Sequence, residues 1–221
     1  MFPISDTAPT TRFPIVNLII IILNVFIFSY QFSSGGIEMD IYNYGFISAQ
    51  FNVLEYSSYF KIFSAMFMHG GIFHVLSNMW FLYIFGDNVE GRIGHASYCV
   101  FYLFCGIIAT LAQYILIPQS SLPLVGASGA VSGIAGAYFV FFSKAYVKVL
   151  IPIFLFLTLF EIPVWLFLAY WFITQFIYGI GSLVAIDLNQ GGIAWFAHVS
   201  GFFIGMFLAL LYKIITKQEW K

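Results

Sequence analysis

Charged residues are scarce in this sequence, and their scarcity indicates which solvent surrounds the protein. Only 8% of the 221 residues are charged, 62% are hydrophobic, and the mean hydropathy is +0.96. A soluble domain has roughly a quarter charged residues. We therefore predict an outer surface that faces lipid. The length fits one membrane-embedded domain, residues 1–221, with short termini and no separate soluble domain.

Several chemical signatures are also missing. No basic run with interleaved aromatics is present, so nucleic acid is not an expected partner. There is no H-E-x-x-H motif for zinc and no pair of embedded aspartates for aspartic proteolysis, and we expect neither metal nor cofactor. The two cysteines, Cys99 and Cys105, lie about 9 Å apart along one apolar run, too far for a disulfide. We interpret both as packing residues.

Long apolar runs are abundant, and a membrane span needs ~20 such residues. The runs predict an all-α, polytopic bundle of six transmembrane helices. Residues 33–71 mix aromatic and charged side chains and predict short amphipathic pieces in the membrane interface. Residues 148–161 are interpreted as interfacial or re-entrant, with part of a long fifth span as the alternative. The predicted spans are 13–32, 72–90, 95–117, 127–143, 162–181 and 194–215.

The basic residues predict the orientation of these spans. With six spans, seven of the eight Lys and Arg residues fall on the side of the two termini, and Lys61 alone falls on the other. Basic loops stay in the cytoplasm. We predict a multi-pass protein of a bacterial or archaeal cell membrane with both termini cytoplasmic.

Two polar residues stand near the same end of their predicted helices. Ser128 opens the fourth span between Ala127 and Gly129, where unpaired helix-start N–H groups can stabilise an oxyanion. His198 lies one turn into the last span, before the small residues Gly201 and Gly205. Small residues let helices touch, which would bring the imidazole within ~3 Å of the hydroxyl. The alternatives are a serine in a packing patch and a histidine that only packs.

A second polar pair begins the second span. His74 and Asn78 are four residues apart and share one helix face. Two donors aimed at one point suit an oxyanion, although a hydrogen bond that holds the bundle together is the alternative. His69 is interpreted as a structural hydrogen-bonding residue before this helix. At the other end of the span, Asp87 to Arg92 reads as a solvated turn with local ion pairs.

Together these residues resemble the rhomboid family of intramembrane serine proteases. The resemblance extends from about Tyr59 to Leu211 and rests on three motifs: His69 to Gly94, Gly126 to Gly129, and Ala197 to Gly205. It implies that Ser128 is the nucleophile, that His198 is its base, and that His74 and Asn78 form an oxyanion hole with the Ser128 N–H. It implies further that Gly126, Gly129, Gly201, Gly205 and His69 support the site, that residues 182–193 cap it, and that the fifth span is a lateral gate.

The resemblance has departures. Some relatives carry an aromatic four positions after the nucleophile, where this chain has Ser132, so a ring stacked on His198 has to come from elsewhere or be absent. No carboxylate is evident near His198, so we predict a Ser–His dyad.

The predicted function is cleavage of transmembrane proteins within the bilayer, by an enzyme whose oligomeric state stays open. Two alternatives remain. One is a catalytically silent rhomboid-like protein that binds membrane clients. The other is a small transporter, which internal repeats would favour and this sequence lacks.

Overall fold

The computed structural model describes residues 2–153, 156–184 and 194–217, and most of these are helical. The helices are built from apolar runs with little charge, and their outward faces carry exposed aliphatic and aromatic side chains. This is the bundle that the sequence predicts. The helices are α1 Ile15–Ser33, α2 Ile37–Tyr44, α3 Tyr56–Ser64, α4 Ile72–Phe81, α5 Asp87–Ile93, α6 His95–Leu116, α7 Ser128–Phe141, α8 Val164–Val184 and α9 Trp195–Thr216.

Three of the described helices, α1, α6 and α9, are long and apolar enough to cross a bilayer by themselves. Their bounds lie within two residues of the predicted spans. Helix α7 and the stretch Val164–Ile177 of α8 are shorter apolar helical segments. The integral membrane class therefore follows, whereas the count of six spans stays a prediction.

The second predicted span is one continuous helical segment with an irregular middle. A π-helical turn at Leu82–Gly86 joins α4 to α5. Such a turn shifts the backbone hydrogen bonds, and the Asn17 side-chain amide donates to the Leu82 carbonyl over 2.9 Å. Helix α1 thereby stabilises the irregular turn.

For residues 148–161 the sequence predicts an interfacial or re-entrant location but no conformation, and the structure shows that conformation. They lie in a hairpin of β4 Tyr146–Ile153 and β5 Phe156–Pro163, with β1 Phe2–Asp6 added on the other edge of β4. Valines at 147 and 149 are buried and alternate with the exposed Lys148, which is the period of a strand. The segment is not part of a long fifth span, because α8 begins only after Pro163.

The long segment before α4 contains the short helices α2 and α3, as expected for residues 33–71. A two-residue strand, β2 Phe46–Ile47, pairs with β3 Pro123–Leu124. This pairing connects the segment to the chain just before Ser128.

The core surrounds α7, whose residues are nearly all buried. Its neighbours contribute large buried rings, among them Tyr98, Tyr102 and Phe85. The starts of α4, α7 and α9 lie together at one end of the bundle, which we call the serine end. At the opposite end, Tyr212 of α9 donates to the Arg92 carbonyl over 3.3 Å.

The charged turn at this opposite end differs from the solvated turn that the sequence indicates. Glu90 is fully buried, and its carboxylate accepts the backbone N–H groups of Val16 and Asn17 at 2.9 and 2.7 Å. His95 Nδ1 lies 2.5 Å from the same carboxylate. A helix start favours a nearby anion because its first N–H groups have no partner in the helix. Glu90 therefore joins α1 to α5 and α6.

Candidate active site

Helices α7 and α9 touch through their backbones. A Cβ built on Gly201 would collide with the Gly129 carbonyl oxygen, and one built on Gly205 would collide with that of Gly133. A Cβ on Gly136 would likewise collide with the Phe202 carbonyl oxygen. No side chain can stand between the helices at these points, which is the close approach that small residues permit.

Ser128 is the first residue of α7 and is half-buried. Its carbonyl accepts the Ser132 hydroxyl over 2.6 Å, so Ser132 points back along its own helix. Beside Ser128 is a cavity of about 10 Å³, enough for about one water molecule. The cavity is bounded by α6, by the loop before Ser128 and by the start of α9, through Ala194 and Ala197. Ser128 therefore lies next to the turn that carries His198.

His198 lies in the first turn of α9 and is buried. Its Nδ1 is 2.6 Å from Oε1 of Gln175, a residue of α8. The Trp171 ring stacks on the imidazole with centroids 6.3 Å apart and planes 29° apart. Trp195 approaches the imidazole edge-on, with a centroid distance of 6.1 Å.

Neither contact from α8 is predicted from the sequence. Trp171 and Gln175 are four residues apart, so they share one helix face. The available signal was Gln175 itself, because a polar side chain within a span usually faces the bundle interior. Trp171 supplies the stacked ring that Ser132 cannot provide.

The first turn of α9 is also held by α6. Gln113 is buried, and its Oε1 accepts the backbone N–H of Ala197 over 3.1 Å. That N–H belongs to the helix start and would otherwise lack a partner. Gln113 therefore fixes the backbone just before His198.

His74 and Asn78 converge on the loop that precedes Ser128. A Cβ on Gly126 would lie 2.6 Å from His74 Nε2 and 3.7 Å from Asn78 Nδ2. Gly126 has φ +116°, which disfavours any side chain, and its N–H donates to the Ala65 carbonyl over 2.8 Å. The Asn78 amide also donates to the His74 carbonyl over 3.1 Å. Both side chains thus lie beside the start of α7.

His69 lies behind His74 and is fully buried. The two imidazole centroids are 5.1 Å apart at an interplanar angle of 72°. The His69 backbone N–H donates to Oε1 of Gln31 over 3.2 Å, and the edge of Phe28 packs nearby at 6.5 Å. His69 therefore contacts His74 and the α1 side chains of the bundle.

The arrangement brings most of the predicted residues to one end of the bundle. The start of α7, the start of α9 and the His74–Asn78 face of α4 meet there, while Gly205 lies one turn deeper. Within the described residues, no group of three or more His, Cys, Asp or Glu side chains could hold a metal ion. The predicted cap falls mostly on residues 185–193, which lie outside the described ranges.

Comparisons with known proteins agree with this architecture. The family model described as Rhomboid domain matches residues 56–214. The chain is 38% identical to Rhomboid-like protein 11, chloroplastic, of Arabidopsis thaliana over 36% of this chain and 28% of that protein. It is 26% identical to RHOMBOID-like protein 6, mitochondrial, of the same plant over 76% of this chain and 48% of that protein.

A bacterial relative is also similar. The Putative rhomboid protease YdcA of Bacillus subtilis (strain 168) is 30% identical over 36% of this chain and 40% of that protein. The chain thus spans less than half the length of each of these three relatives.

Proposed function

This chain belongs to the rhomboid family, and we propose that it is an intramembrane serine endopeptidase with Ser128 as nucleophile and His198 as general base. It is an integral membrane protein, and its family includes intramembrane serine proteases. One observation carries the proposal. The backbones of α7 and α9 touch at glycines, and this contact brings together the two helix starts on which Ser128 and His198 lie.

The proposed reaction proceeds through an acyl-enzyme. His198 Nε2 takes the proton of the Ser128 hydroxyl as the serine oxygen attacks the substrate carbonyl carbon. The carbonyl oxygen becomes an oxyanion, which the Ser128 N–H, His74 and Asn78 stabilise. The C–N bond then breaks, and His198 returns the proton to the leaving amine. Water, with His198 again as base, cleaves the ester and restores Ser128.

The proposed substrate is a transmembrane segment of another membrane protein. Its carbonyls are hydrogen-bonded within the helix, so the segment has to unwind locally before Ser128 can attack. Residues with low helix propensity near the cleavage site should therefore be favoured. We propose that the substrate approaches from the lipid beside α8 and that water reaches the serine end from the adjacent aqueous phase. The mechanism needs neither metal nor cofactor.

The surrounding residues have supporting roles in this proposal. Gly201 and Gly205 hold α9 against α7, and Gly129 supplies the matching surface. Gly126 leaves room for His74, and His69 packs behind that ring. We also propose the six-span topology as one domain over residues 1–221. The distribution of Lys and Arg supports both termini in the cytoplasm. We also propose a bacterial or archaeal cell membrane as its location.

The test is cleavage of a single-span reporter by the purified protein in liposomes. Wild type is expected to cleave within the reporter's membrane segment, and Ser128→Ala is expected to lose ~10³-fold or more of the rate. A serine-directed fluorophosphonate should label wild type but not Ser128→Ala. Ser132→Ala is the matched control, because its hydroxyl bonds to its own helix. A folded wild type that binds membrane clients but neither labels nor cleaves would indicate the catalytically silent alternative.

A further inference from the structure

Helix α8 contributes two side chains to the environment of His198 that the dyad does not require. Gln175 lies against Nδ1 of the imidazole, and Trp171, one turn earlier, stacks on its face. Both side chains are half-buried between α8 and α9. Neither carries a charge, so neither adds a buried ion to the bilayer interior.

The contact with Gln175 decides which imidazole nitrogen is basic. An amide oxygen can only accept a hydrogen bond, so the 2.6 Å contact with Oε1 requires the proton of neutral His198 to sit on Nδ1. Nε2 then carries the lone pair. That is the tautomer in which a histidine can take a proton from a serine hydroxyl.

Trp171 fixes the plane of the same ring. Its own position is set by aromatic neighbours, with centroid distances of 6.0 Å to Phe81 and 6.2 Å to Phe202. Because Phe81 and Phe202 hold the Trp171 ring in place, that ring can restrict rotation of the imidazole about its χ angles. Ser132, at the position four after the nucleophile, is too small for this role and is turned to its own helix.

We propose that Gln175 and Trp171 are positioning residues that set the tautomer and orientation of His198, so that the catalytic base is assembled only while α8 packs against α9. The inference rests on the proposed function, because it assigns His198 the role of base. It adds a third and a fourth participant to the dyad. It also makes the helix beside which the substrate approaches part of the catalytic assembly.

The decisive experiment separates hydrogen bonding from packing at residue 175. Gln175→Met keeps the shape of the side chain and removes the acceptor, whereas Gln175→Glu keeps an acceptor and adds a charge. A packing role predicts that Met is tolerated better than Glu. The positioning role predicts the opposite order of activity, even where Glu lowers thermal stability. Thr174→Val is the matched control, because Thr174 donates to the Trp171 carbonyl of its own helix over 2.6 Å.

We expect Gln175→Met to lower kcat and the fluorophosphonate labelling rate about 10- to 100-fold with KM unchanged. Gln175→Glu should lose much less activity than Gln175→Met. Thr174→Val should stay within about twofold of wild type, since the Thr174 hydrogen bond does not reach His198. Trp171→Phe should retain more activity than Trp171→Leu, because only Phe keeps a stacked ring. The proposal is overturned if Gln175→Met labels like wild type or if Gln175→Glu is no better than Met.

A second readout does not depend on catalysis. In protein with ¹⁵N-labelled histidine, the two ring nitrogens report the tautomer by NMR, and His198→Gln identifies the signal among the four histidines. Wild type should show the proton on Nδ1, and Gln175→Met should lose that preference. If wild type shows this tautomer but neither labels nor cleaves, the proposed function fails while the positioning contact stands. A proton on Nε2 in active wild type would reject the positioning role alone.

Discussion

Helix α9 contacts α7 and α8 in two different ways. Against α7 it meets backbone with backbone, because Gly201 and Gly205 leave no side chain between the helices. Against α8 it meets rings with rings, as in the contacts of Phe172 with Phe202 and Phe203 at 5.0 and 5.1 Å. The first contact cannot widen without losing its packing altogether, whereas rings can rotate and re-form contacts at a new spacing. His198 thus lies between a helix that α9 contacts through backbone and a helix that it contacts through side-chain rings.

The largest effect is expected where the fixed contact is broken. Gly205→Leu places a side chain on the Gly133 carbonyl, which is backbone and cannot yield. We expect loss of folded, active protein, seen as a collapsed melting transition and no fluorophosphonate labelling. Gly36→Ala is the control, because a Cβ there meets only the Ser34 hydroxyl at 3.6 Å. A Gly205→Leu protein that melts and labels like wild type would contradict the backbone contact.

The next effect concerns the donors that face the start of α7. Asn78→Ala should lower kcat by about 10²- to 10³-fold, the usual cost of one oxyanion donor, with little change in KM. Ser77→Ala is the matched control, since Ser77 is exposed on the same helix and bonds to the His74 carbonyl over 3.0 Å. Steady-state cleavage of the reporter measures both. Equal losses of kcat for the two variants would show that a general disturbance of α4, and not loss of the Asn78 amide, lowers the rate.

A smaller effect is expected at the ring contact between α8 and α9. Phe172→Ala removes the ring that packs on Phe202 and should slow fluorophosphonate labelling several-fold, because α8 then spends less time against α9. Ile173→Ala, on the exposed side of α8, is the control. Combined with Gln175→Met, the Phe172→Ala loss should be less than additive, since both changes act on His198, the proposed base. Strict additivity would mean that α8 packing and His198 positioning are independent.

The smallest effect is expected at strand β1, which contacts α7. Tyr138 of α7 donates to the Asp6 carboxylate of β1, and burial raises the pKa of Asp6 from 3.8 to about 6, with Asp87 adding to the shift. Between pH 3.8 and about 6, Asp6 therefore keeps a proton in the folded state that it has lost in the unfolded state. Stability from this group is greatest below about pH 4 and falls as the pH rises toward 6.

Thermal unfolding between pH 4.5 and 7 should show this trend. Wild type should lose a few degrees more than Asp6→Asn as the pH rises. Glu38→Gln removes an exposed carboxyl and is expected to follow wild type. If Asp6→Asn shows the same pH dependence as wild type, another group is responsible.

The sequence could predict a residue's role where that role follows from residue spacing within one helix. Gly201 and Gly205 predicted the α7–α9 contact, because they are four residues apart and therefore share one helix face. His74 and Asn78 share a face for the same reason. Gln175 was overlooked in an apolar run because its partner is 23 residues away on another helix. Gln175 is nevertheless a polar residue within a span, and such residues usually face the bundle interior.

The hairpin and the buried carboxylate were missed for other reasons. Alternating valines around Lys148 are the pattern of a strand, but the hydropathy of the run favoured an interfacial or re-entrant segment. Glu90 looked solvated because its neighbours in the sequence are polar. Its partners are N–H groups about 74 positions earlier, and backbone donors leave no trace in a sequence.

The long separation in sequence between Val16 and Glu90 also affects the order in which the contact can form during synthesis. Helix α1 is synthesised before α5, and the carboxylate that receives its first N–H groups is made 74 residues after Val16. Until then its leading turn has to be solvated by water or lipid headgroups at the membrane surface. The contact between α1 and Glu90 therefore cannot be completed until residue 90 has been synthesised.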